Sequence, residues 1–312
     1  MNKIKLFYFV KPLVPRMLQI ALRRKYVSIQ IQKNKDVWPI LESAGNTPTD
    51  WKGWHNSKKF AVVLTHDVET QKGHDKCKNL LNLEKEFEFR SSFNFVPERY
   101  NVSKNLRDFI VKNGFEVGVH GLTHDGKLFK DKQTFDERAI KINSYIKEWN
   151  ATGFRAPAMH HNLEWINQLN IEYDLSTFDT DPFEPQSDGI GTIFPFLCSD
   201  VNSTSSYVEM PYTLVQDFTL FILMKQKNIN IWKDKVDWIA SKGGMVLVNV
   251  HPDYINFDNG KSKFDEFSFK NYSNLLEYLN VKYNEQFWNP LPKEVAEFIK
   301  GGISKPHFEI TT

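Results

Sequence analysis

Short apolar runs alternate with segments of helical periodicity between residues 60 and 250. This pattern is typical of strands joined by crossover helices. It predicts strands at residues 60–64, 92–96, 115–119, 152–154, 171–175, 207–210 and 245–250. It predicts helices around residues 76–87, 106–112, 134–149, 163–169 and 231–241. One barrel-like α/β domain with about seven strands accounts for this pattern better than two domains do.

The chain is predicted to divide near residue 55. Residues 1–55 form a basic amino-terminal arm and a connector whose three tryptophans are expected to cap an edge of the fold. Residues 56–312 form the predicted barrel domain. Within it, residues 179–206 contain prolines, glycines and a serine-rich stretch, which predicts a loop across the active face.

Charge is unevenly distributed along the chain. The formal net charge is +2, yet residues 1–35 carry nine Lys or Arg and no acid, leaving 31 basic and 38 acidic side chains in the other 277 residues. A helix is expected to begin near Pro15, where apolar residues are followed by Arg23, Arg24 and Lys25. The arm is therefore expected either to make a peripheral contact with an anionic membrane or polymer, or to pack on its own domain.

Cysteine content and apolar runs indicate in which cellular compartment the protein is expected. Cys77 and Cys198 lie far apart in the chain and are expected to be reduced thiols. No run approaches the ~18 apolar residues of a membrane span. The apolar residues 6–10 are cut off by Lys11 and Pro12, unlike a secretory signal. We expect a cytoplasmic protein, at most peripheral to the membrane, with no nucleic-acid partner.

Clusters of ionisable residues follow four of the predicted strands. They occupy residues 65–69 (Thr-His-Asp-Val-Glu), 120–124 (His-Gly-Leu-Thr-His), 155–157 (Arg-Ala-Pro) and 251–253 (His-Pro-Asp). Because the carboxyl ends of parallel strands share one face of an α/β fold, these clusters are expected to converge into a single site.

The converging residue types suit metal-assisted hydrolysis. His120 and His124 are four residues apart, a spacing that lets two imidazoles ligate one divalent ion. Asp67 and Glu69 are two apart, so one carboxylate can act as a ligand while the other accepts a proton from water. Metal-dependent hydrolysis is therefore the reaction class that these residues indicate.

Three further residues are candidates for the remaining steps. The backbone N–H of Ala158, after Pro157, is placed to stabilise an oxyanion. His251 is the natural general acid for a leaving amine. Arg155 is expected to pair with Asp67 and to keep it ionised and oriented.

These residues resemble the motifs of the polysaccharide deacetylases of carbohydrate esterase family 4. The family's Thr-Phe-Asp-Asp is similar to residues 65–68, its His-Ser/Thr-x-x-His to residues 120–124, its Arg-x-Pro-Tyr to residues 155–158 and its Leu-x-His to residues 249–251. The motif order is also the family's. The resemblance implies a distorted (β/α) barrel, with Asp67 matching the catalytic base, the two histidines the metal ligands and His251 the catalytic acid.

The sequence departs from the family at four points. Val68 stands where a metal-binding Asp is usual, which leaves Glu69 as the substitute ligand. Ala158 replaces a common Tyr, and Asn249 replaces a Leu that lines the acetyl pocket. The fourth motif is not evident; Asp174, Ser176 or Asp179 are the candidates to support His251.

The resemblance implies a metal-dependent hydrolase that removes acetyl from an N-acetylated carbohydrate, or from an O-acetyl ester as the less favoured substrate. The divalent ion, expected to be zinc, would be held by Glu69, His120 and His124. Two alternatives stay open: an amidohydrolase acting on a small non-sugar amide, and a non-catalytic carbohydrate-binding relative whose metal site has decayed, as Val68 suggests.

Other polar residues near the motifs have structural interpretations. His66 follows a buried strand and is expected to be a structural histidine. His160 and His161 are equally suited to line a substrate site or to belong to a capping loop. Asp253 is expected to be a turn residue after Pro252.

Overall fold

The computed structural model describes residues 14–199, 206–258 and 260–301, together with the backbone of residues 307–309. The described α-helices are α1 (Arg16–Lys33), α2 (Gln71–Glu86), α3 (Lys104–Lys112), α4 (Lys132–Trp149), α5 (Leu163–Ile166), α6 (Asn230–Lys242), α7 (Phe269–Tyr283) and α8 (Pro292–Lys300). The strands are β1 (Phe60–Val68), β2 (Ser91–Phe95), β3 (Glu116–His120), β4 (Gly153–Arg155), β5 (Tyr173–Asp174), β6 (Phe196–Ser199), β7 (Ser206–Glu209), β8 (Met245–Asn249), β9 (Ile255–Asn256), β10 (Phe267–Ser268), β11 (Phe287–Trp288) and β12 (His307–Glu309).

The main sheet is curled and almost wholly parallel. β1 pairs in parallel with β2, β8 and β11, and the sheet continues from β2 through β3, β4, β5 and β7. β6 pairs antiparallel with β7, and β12 follows parallel to β6. The curled parallel part of the sheet forms a half-barrel, which confirms the predicted α/β barrel class.

The strands at the centre of this sheet are buried on both faces. All nine residues of β1 and all five of β8 are buried, which explains their unbroken apolar runs before the first polar residues. Helices cover the outer face through side chains such as Leu80 and Leu81 of α2 and Ile142 of α4, which belong to the main apolar cluster. The carboxyl ends of the strands are thereby left as the face that can carry a site.

Two regions differ from the sequence-based prediction. The segment predicted as a loop, residues 179–206, contains β6 and reaches the start of β7, while residues 200–205 lie outside the described part. Beyond residue 253 the prediction had no elements, yet the structure has α7, α8 and four short strands there. These strands span two or three residues each, too few for a periodic pattern to reveal.

Helix α1 packs against a π-helical segment, Phe218–Leu223. Ile20 and Val27 are buried on the packed side of the helix, and the Arg24 Nε donates a hydrogen bond to the carbonyl oxygen of Ile222 at 2.9 Å. The first 13 residues of the predicted arm, including the apolar stretch 6–10, lie outside the described residues. Of the helices that the structure describes, none is long and apolar enough to cross a membrane.

Candidate functional site

The four predicted clusters meet at the carboxyl end of the half-barrel. His120 ends β3 and pairs in register with Arg155, which ends β4. Asp67, near the end of β1, pairs with Asn94 of β2. His251 follows β8 by two residues. The pairing of five neighbouring strands, β8, β1, β2, β3 and β4, therefore brings these side chains together.

Glu69, His120 and His124 form a compact ligand cluster. One ligand atom from each lies within 4.8 Å of the others. A Glu69 oxygen, Oε1, is 3.1 Å from Nε2 of His124, and the two imidazole rings are 5.1 Å apart between centroids. The predicted ligands thus lie close enough to share one cation.

Backbone contacts orient the two histidines. The His120 Nδ1 is 3.0 Å from the Arg155 carbonyl oxygen, so it donates there and leaves Nε2 as the free ligand nitrogen. Gly121 has φ 61°, and a Cβ at this position would lie 2.5 Å from Cδ of Pro157. His124 has φ 57°, a left-handed conformation that is costly outside glycine. The turn between the histidines is therefore tightly constrained.

Asp253 and Tyr254 hold Glu69 in place. The Glu69 backbone N–H donates to Oδ2 of Asp253 at 2.9 Å, and the Tyr254 hydroxyl donates to Glu69 Oε2 at 2.7 Å. Thr70 also donates a hydrogen bond to Asp253, which is 3% exposed. Asp253 lies in the 3-10 turn Pro252–Tyr254, as expected of a turn residue, and in addition it anchors the backbone of a candidate ligand.

The donor set fits a divalent cation. Two imidazole nitrogens and one carboxylate oxygen are common zinc ligands that leave coordination positions open. Burial, assisted by His124, lowers the pKa of His120 to about 4, so this imidazole is neutral at physiological pH. Burial alone would raise the pKa of Glu69, but the neighbouring His124 and His251 charges hold it well below its ordinary value. His120 and Glu69 thus occur in the protonation state that metal binding requires, and a bound ion would replace the His124 charge beside Glu69.

Asp67 is buried in a network of donors. Its Oδ1 accepts hydrogen bonds from Arg155 Nη1 at 3.2 Å and Asn94 Nδ2 at 3.1 Å, and its Oδ2 accepts one from Asn249 Nδ2 at 2.8 Å. Burial would raise the pKa of Asp67, but the charge of Arg155 and these donors outweigh burial and hold it below its usual range. Asn249, which departs from the family pattern, thus donates to the candidate base.

The same network shows how tightly the strands pack here. A Cβ at Gly118 of β3 would lie 2.2 Å from Oδ1 of Asn94, so glycine is needed for Asn94 to reach Asp67. Among the described residues, no partner reaches Asn94 Oδ1, Asn249 Oδ1 or Arg155 Nη2, all of them buried. Each of these atoms is a buried polar group left available to a molecule bound in the site.

His251 is supported by Asp217, which the sequence analysis did not identify. The His251 Nδ1 lies 2.7 Å from Oδ1 of Asp217, and the His251 backbone N–H donates to Oδ2 at 2.8 Å. Burial would lower the pKa of His251, but the Asp217 carboxylate outweighs burial and raises it to about 10. The imidazolium form is therefore favoured at neutral pH.

The predicted substitutes for the fourth motif are wrong. Asp174 accepts hydrogen bonds from Ser176, and Asp179 pairs with Lys235 at 2.5 Å. Asp217 precedes the π-helical segment, and its backbone-capping bond to Phe218 N resembles an ordinary helix start. Only its position in three dimensions distinguishes it from a capping residue.

Ala158 directly follows Pro157, which lines a depression together with His124 and His160. Its φ is 57° and that of Met159 is 51°, two successive left-handed residues beside the site. Such strain is common where a backbone group is positioned for function. The role of the Ala158 N–H as an oxyanion donor stays a prediction.

The remaining histidines have separate positions. His66 lies outside the site, with Nδ1 2.8 Å from the Val250 carbonyl oxygen and Nε2 2.8 Å from Glu84 Oε1. The structure therefore gives it the structural position expected from the sequence. His161 Nδ1 is 2.9 Å from the Met159 carbonyl oxygen, so His161 braces the strained turn.

Solved structures with this fold include proteins described as polysaccharide deacetylases. One, from Mycobacterium smegmatis, matches with a TM-score of 0.60 at 18% identity, over 85% of this chain and 98% of its own. Another, from Pseudomonas aeruginosa PAO1, matches with a TM-score of 0.60 at 14% identity, over 82% and 96%. PuuE allantoinase also reaches 0.60, at 15% identity over 82% and 94%. The chain therefore has a polysaccharide deacetylase-like fold.

Sequence comparison alone finds less. No family model matches the sequence, and no curated protein matches it. The likeness is therefore one of fold, and the function must be argued from the site.

Proposed function

We propose that this protein is a metal-dependent deacetylase that hydrolyses the N-acetyl amide of a carbohydrate. The observation that carries the proposal is the juxtaposition of three elements at one end of the half-barrel. They are the cluster of Glu69, His120 and His124, the donor-ringed carboxylate of Asp67, and the paired His251 and Asp217.

The ligand cluster would hold the ion, for which zinc is the best fit to two imidazoles and one carboxylate. A bound divalent ion supplies Lewis acidity, which polarises an acetyl carbonyl and lowers the pKa of a water molecule. Asp253 and Tyr254 keep Glu69 oriented toward the two histidines.

Asp67 is proposed as the general base. It is ionised, and Arg155, Asn94 and Asn249 fix its carboxylate in one orientation. A carboxylate held in this way can take a proton from the attacking water without first having to reorganise. Arg155 is a positioning residue in this scheme, because its charge acts on Asp67.

His251 is proposed as the general acid. An amine is a poor leaving group unless its nitrogen is protonated as the carbon–nitrogen bond breaks. With a pKa raised to about 10 by Asp217, His251 carries that proton at neutral pH. The Ala158 N–H is proposed to donate a hydrogen bond to the tetrahedral oxyanion.

The choice of a carbohydrate rests on the neighbours of the fold. Two of the compared proteins are described as polysaccharide deacetylases, and their chemistry is the hydrolysis for which this site is suited. Fold likeness alone does not specify the substrate, so the sugar is the part of the proposal that most needs a direct assay.

A small non-sugar amide is the second candidate substrate. PuuE allantoinase matches this chain with the same TM-score as the deacetylases. The site also has amide and methyl groups, at Asn249 and Ala158, where the sequence motifs of the deacetylases have an apolar wall and an aromatic ring. The assay must therefore include a small amide such as allantoin.

The test is acetate release from a panel of N-acetylated mono- and oligosaccharides and O-acetylated sugars, with the hydrolysis of allantoin to allantoate measured in a separate assay. Purified protein is supplied with zinc, and its metal content is measured. We expect acetate from at least one N-acetylated sugar, and a loss of about 10²-fold or more in Asp67→Asn. Asp108→Asn, an exposed carboxylate outside the site, is the matched control and is expected to keep full activity.

Two results would overturn the proposal. Hydrolysis of allantoin with no acetate from any sugar would establish the second candidate instead. A well-folded protein that binds no divalent ion and hydrolyses nothing would favour a non-catalytic carbohydrate-binding protein. If the protein does bind an ion, His120→Ala should lose it while keeping the fold, which would tie the ion to the proposed ligand cluster.

A further inference from the structure

Helix α1 carries an unusual share of the protein's exposed apolar surface. Ten large hydrophobic side chains are exposed in the described part of the chain, and five of them lie in this one helix. They are Met17 at 67% exposure, Leu18 at 51%, Leu22 at 57%, Tyr26 at 44% and Ile29 at 44%. Apolar exposure that is concentrated in this way marks an interaction surface.

These side chains form a stripe along one side of the helix. Leu18, Leu22, Tyr26 and Ile29 recur at intervals of four, four and three residues, which places them on a single face. Ile20 and Val27, buried at 1% and 2%, belong to the opposite face, which packs on the half-barrel. Apart from the Tyr26 hydroxyl, which donates to the Pro182 carbonyl oxygen at 3.4 Å, the exposed stripe is therefore not the side that holds the helix on the protein.

The charge of the helix identifies what the stripe fits. Helix α1 contains no acidic residue. Lys25 and Lys33 are exposed, each within a helical turn of Ile29, and neither forms an ion pair among the residues that the structure describes. A flat surface with both an apolar interior and negative charge at its boundary complements such a face.

We infer that the exposed stripe of α1 (Leu18, Leu22, Tyr26 and Ile29, with Lys25 and Lys33), here called the α1 stripe, binds a membrane surface that contains anionic phospholipid. The apolar side chains enter the boundary between headgroups and acyl chains, and the lysines contact lipid phosphates. A second copy docked through the same helix would place lysines against lysines, which disfavours that occupant.

The position of the helix gives this inference a consequence for the site. The guanidinium carbons of Arg16 and Arg23 lie 5.4 and 5.0 Å from the centroid of the Phe218 ring. That ring is 4.7 Å from the ring of Tyr254, whose hydroxyl bonds Glu69. The helix that would contact the membrane is thus separated from the candidate ligand cluster by two aromatic rings.

The inference is tested by sedimentation of the full-length protein with lipid vesicles. Phosphatidylcholine vesicles are compared with vesicles that also contain phosphatidylglycerol. We expect binding to the anionic vesicles that declines with added salt. The double variant Leu18→Gln/Leu22→Gln should bind the anionic vesicles with an affinity at least about tenfold lower. The variant Lys25→Glu/Lys33→Glu should lose the preference for anionic lipid.

Two exposed apolar residues elsewhere provide matched controls. Ile140 of α4 and Val281 of α7 are 74% and 78% exposed, so Ile140→Gln/Val281→Gln makes the same chemical change at sites away from α1. This variant should sediment with vesicles as the unaltered protein does. Circular dichroism and thermal melting establish that every variant is folded.

The inference fails if the protein does not bind anionic vesicles, or if the Leu18→Gln/Leu22→Gln variant binds as well as the unaltered protein. It also fails if analytical ultracentrifugation shows a dimer that this variant dissociates, because the occupant would then be a second copy. Vesicle binding needs no catalytic activity, so the result is independent of the deacetylase assay.

Discussion

Asp217 acts on His251 in two ways at once. One carboxylate oxygen contacts the imidazole Nδ1 at 2.7 Å, while the other accepts the backbone N–H of the same residue at 2.8 Å. The first contact sets the charge and tautomer of the ring, and the second fixes where the ring lies. His251 therefore depends on a single side chain for both its position and its proton.

Replacing Asp217 by Asn should shift the alkaline limb of the pH–rate profile. In the unaltered protein His251 stays protonated until the pH rises through about 10. Without the Asp217 carboxylate, the effect of burial dominates and lowers the pKa of His251. The imidazole then loses its proton at a lower pH. We expect activity at pH 8 to fall by about 10²-fold and the alkaline limb to move to lower pH, as measured by acetate release.

The control for this variant is Asp174→Asn. Asp174 is one of the residues that the sequence suggested for the role, and it contacts Ser176 instead. Its replacement should leave the alkaline limb in place. An unchanged limb in Asp217→Asn, or a shifted limb in Asp174→Asn, would contradict the assignment.

Site residues that directly follow strands were easier to predict from the sequence than the residues that support them. Asp67, Glu69, His120 and His251 are visible because each polar residue interrupts an apolar run. Tyr254 and Asp217 lack such a signal, because a tyrosine or a capping aspartate is ordinary in a loop. Their roles arise only from the packing of distant segments.

At the scale of elements, α2 packs closely against the loop after β8 at one glycine, Gly73. A Cβ at Gly73 would lie 2.1 Å from Oδ2 of Asp253 and 2.5 Å from its Cγ. Asp253 is the residue that anchors the Glu69 backbone. The closeness of the helix to the loop is therefore coupled to the position of a candidate metal ligand.

Gly73→Ala should destabilise the protein, whereas replacing glycine by alanine in a helix usually stabilises it. Alanine is normally favoured over glycine by about 1 kcal/mol in a helix interior, but here the added methyl group would displace Asp253. We expect a loss of about 1–3 kcal/mol in the free energy of unfolding, measured with urea, and weaker zinc binding by titration.

Asn79→Ala in the same helix is the matched control. Asn79 is exposed on α2, so the gain in helix propensity should appear there as a small increase in stability. If Gly73→Ala also stabilised the protein and left zinc affinity unchanged, the proposed coupling would be wrong.

The elements themselves were predicted unevenly. Helices such as α4 and strands such as β1 were found because their patterns extend over many residues. β6 was missed because it has four residues, pairs antiparallel and lies inside a proline-rich segment. β11 is two residues long and pairs with β1 across more than 200 positions of sequence, a contact that no local pattern reveals.

For the whole molecule, the proposed metal should be a stabilising ligand. Glu69 and His124 follow β1 and β3, and His120 ends β3, so an ion bound to all three would link separate parts of the chain. At a zinc concentration about 100 times the Kd, binding contributes about 2.7 kcal/mol. We expect Tm to rise by roughly 5 °C in scanning calorimetry, and a chelator to reverse the change.

His120→Ala supplies the comparison for this measurement. The variant should unfold at one temperature with and without zinc, because the ligand set is broken. A zinc-dependent rise in Tm that persists in His120→Ala would show that the ion binds elsewhere.

The contact of Arg16 and Arg23 with Phe218 has a consequence for kinetics. If α1 binds a membrane as proposed, the candidate site attached to it would meet lipid-anchored reactants by diffusion in two dimensions. Turnover would then follow the number of reactant molecules per unit of bilayer area, and diluting them with inert lipid would slow it even at a constant bulk amount.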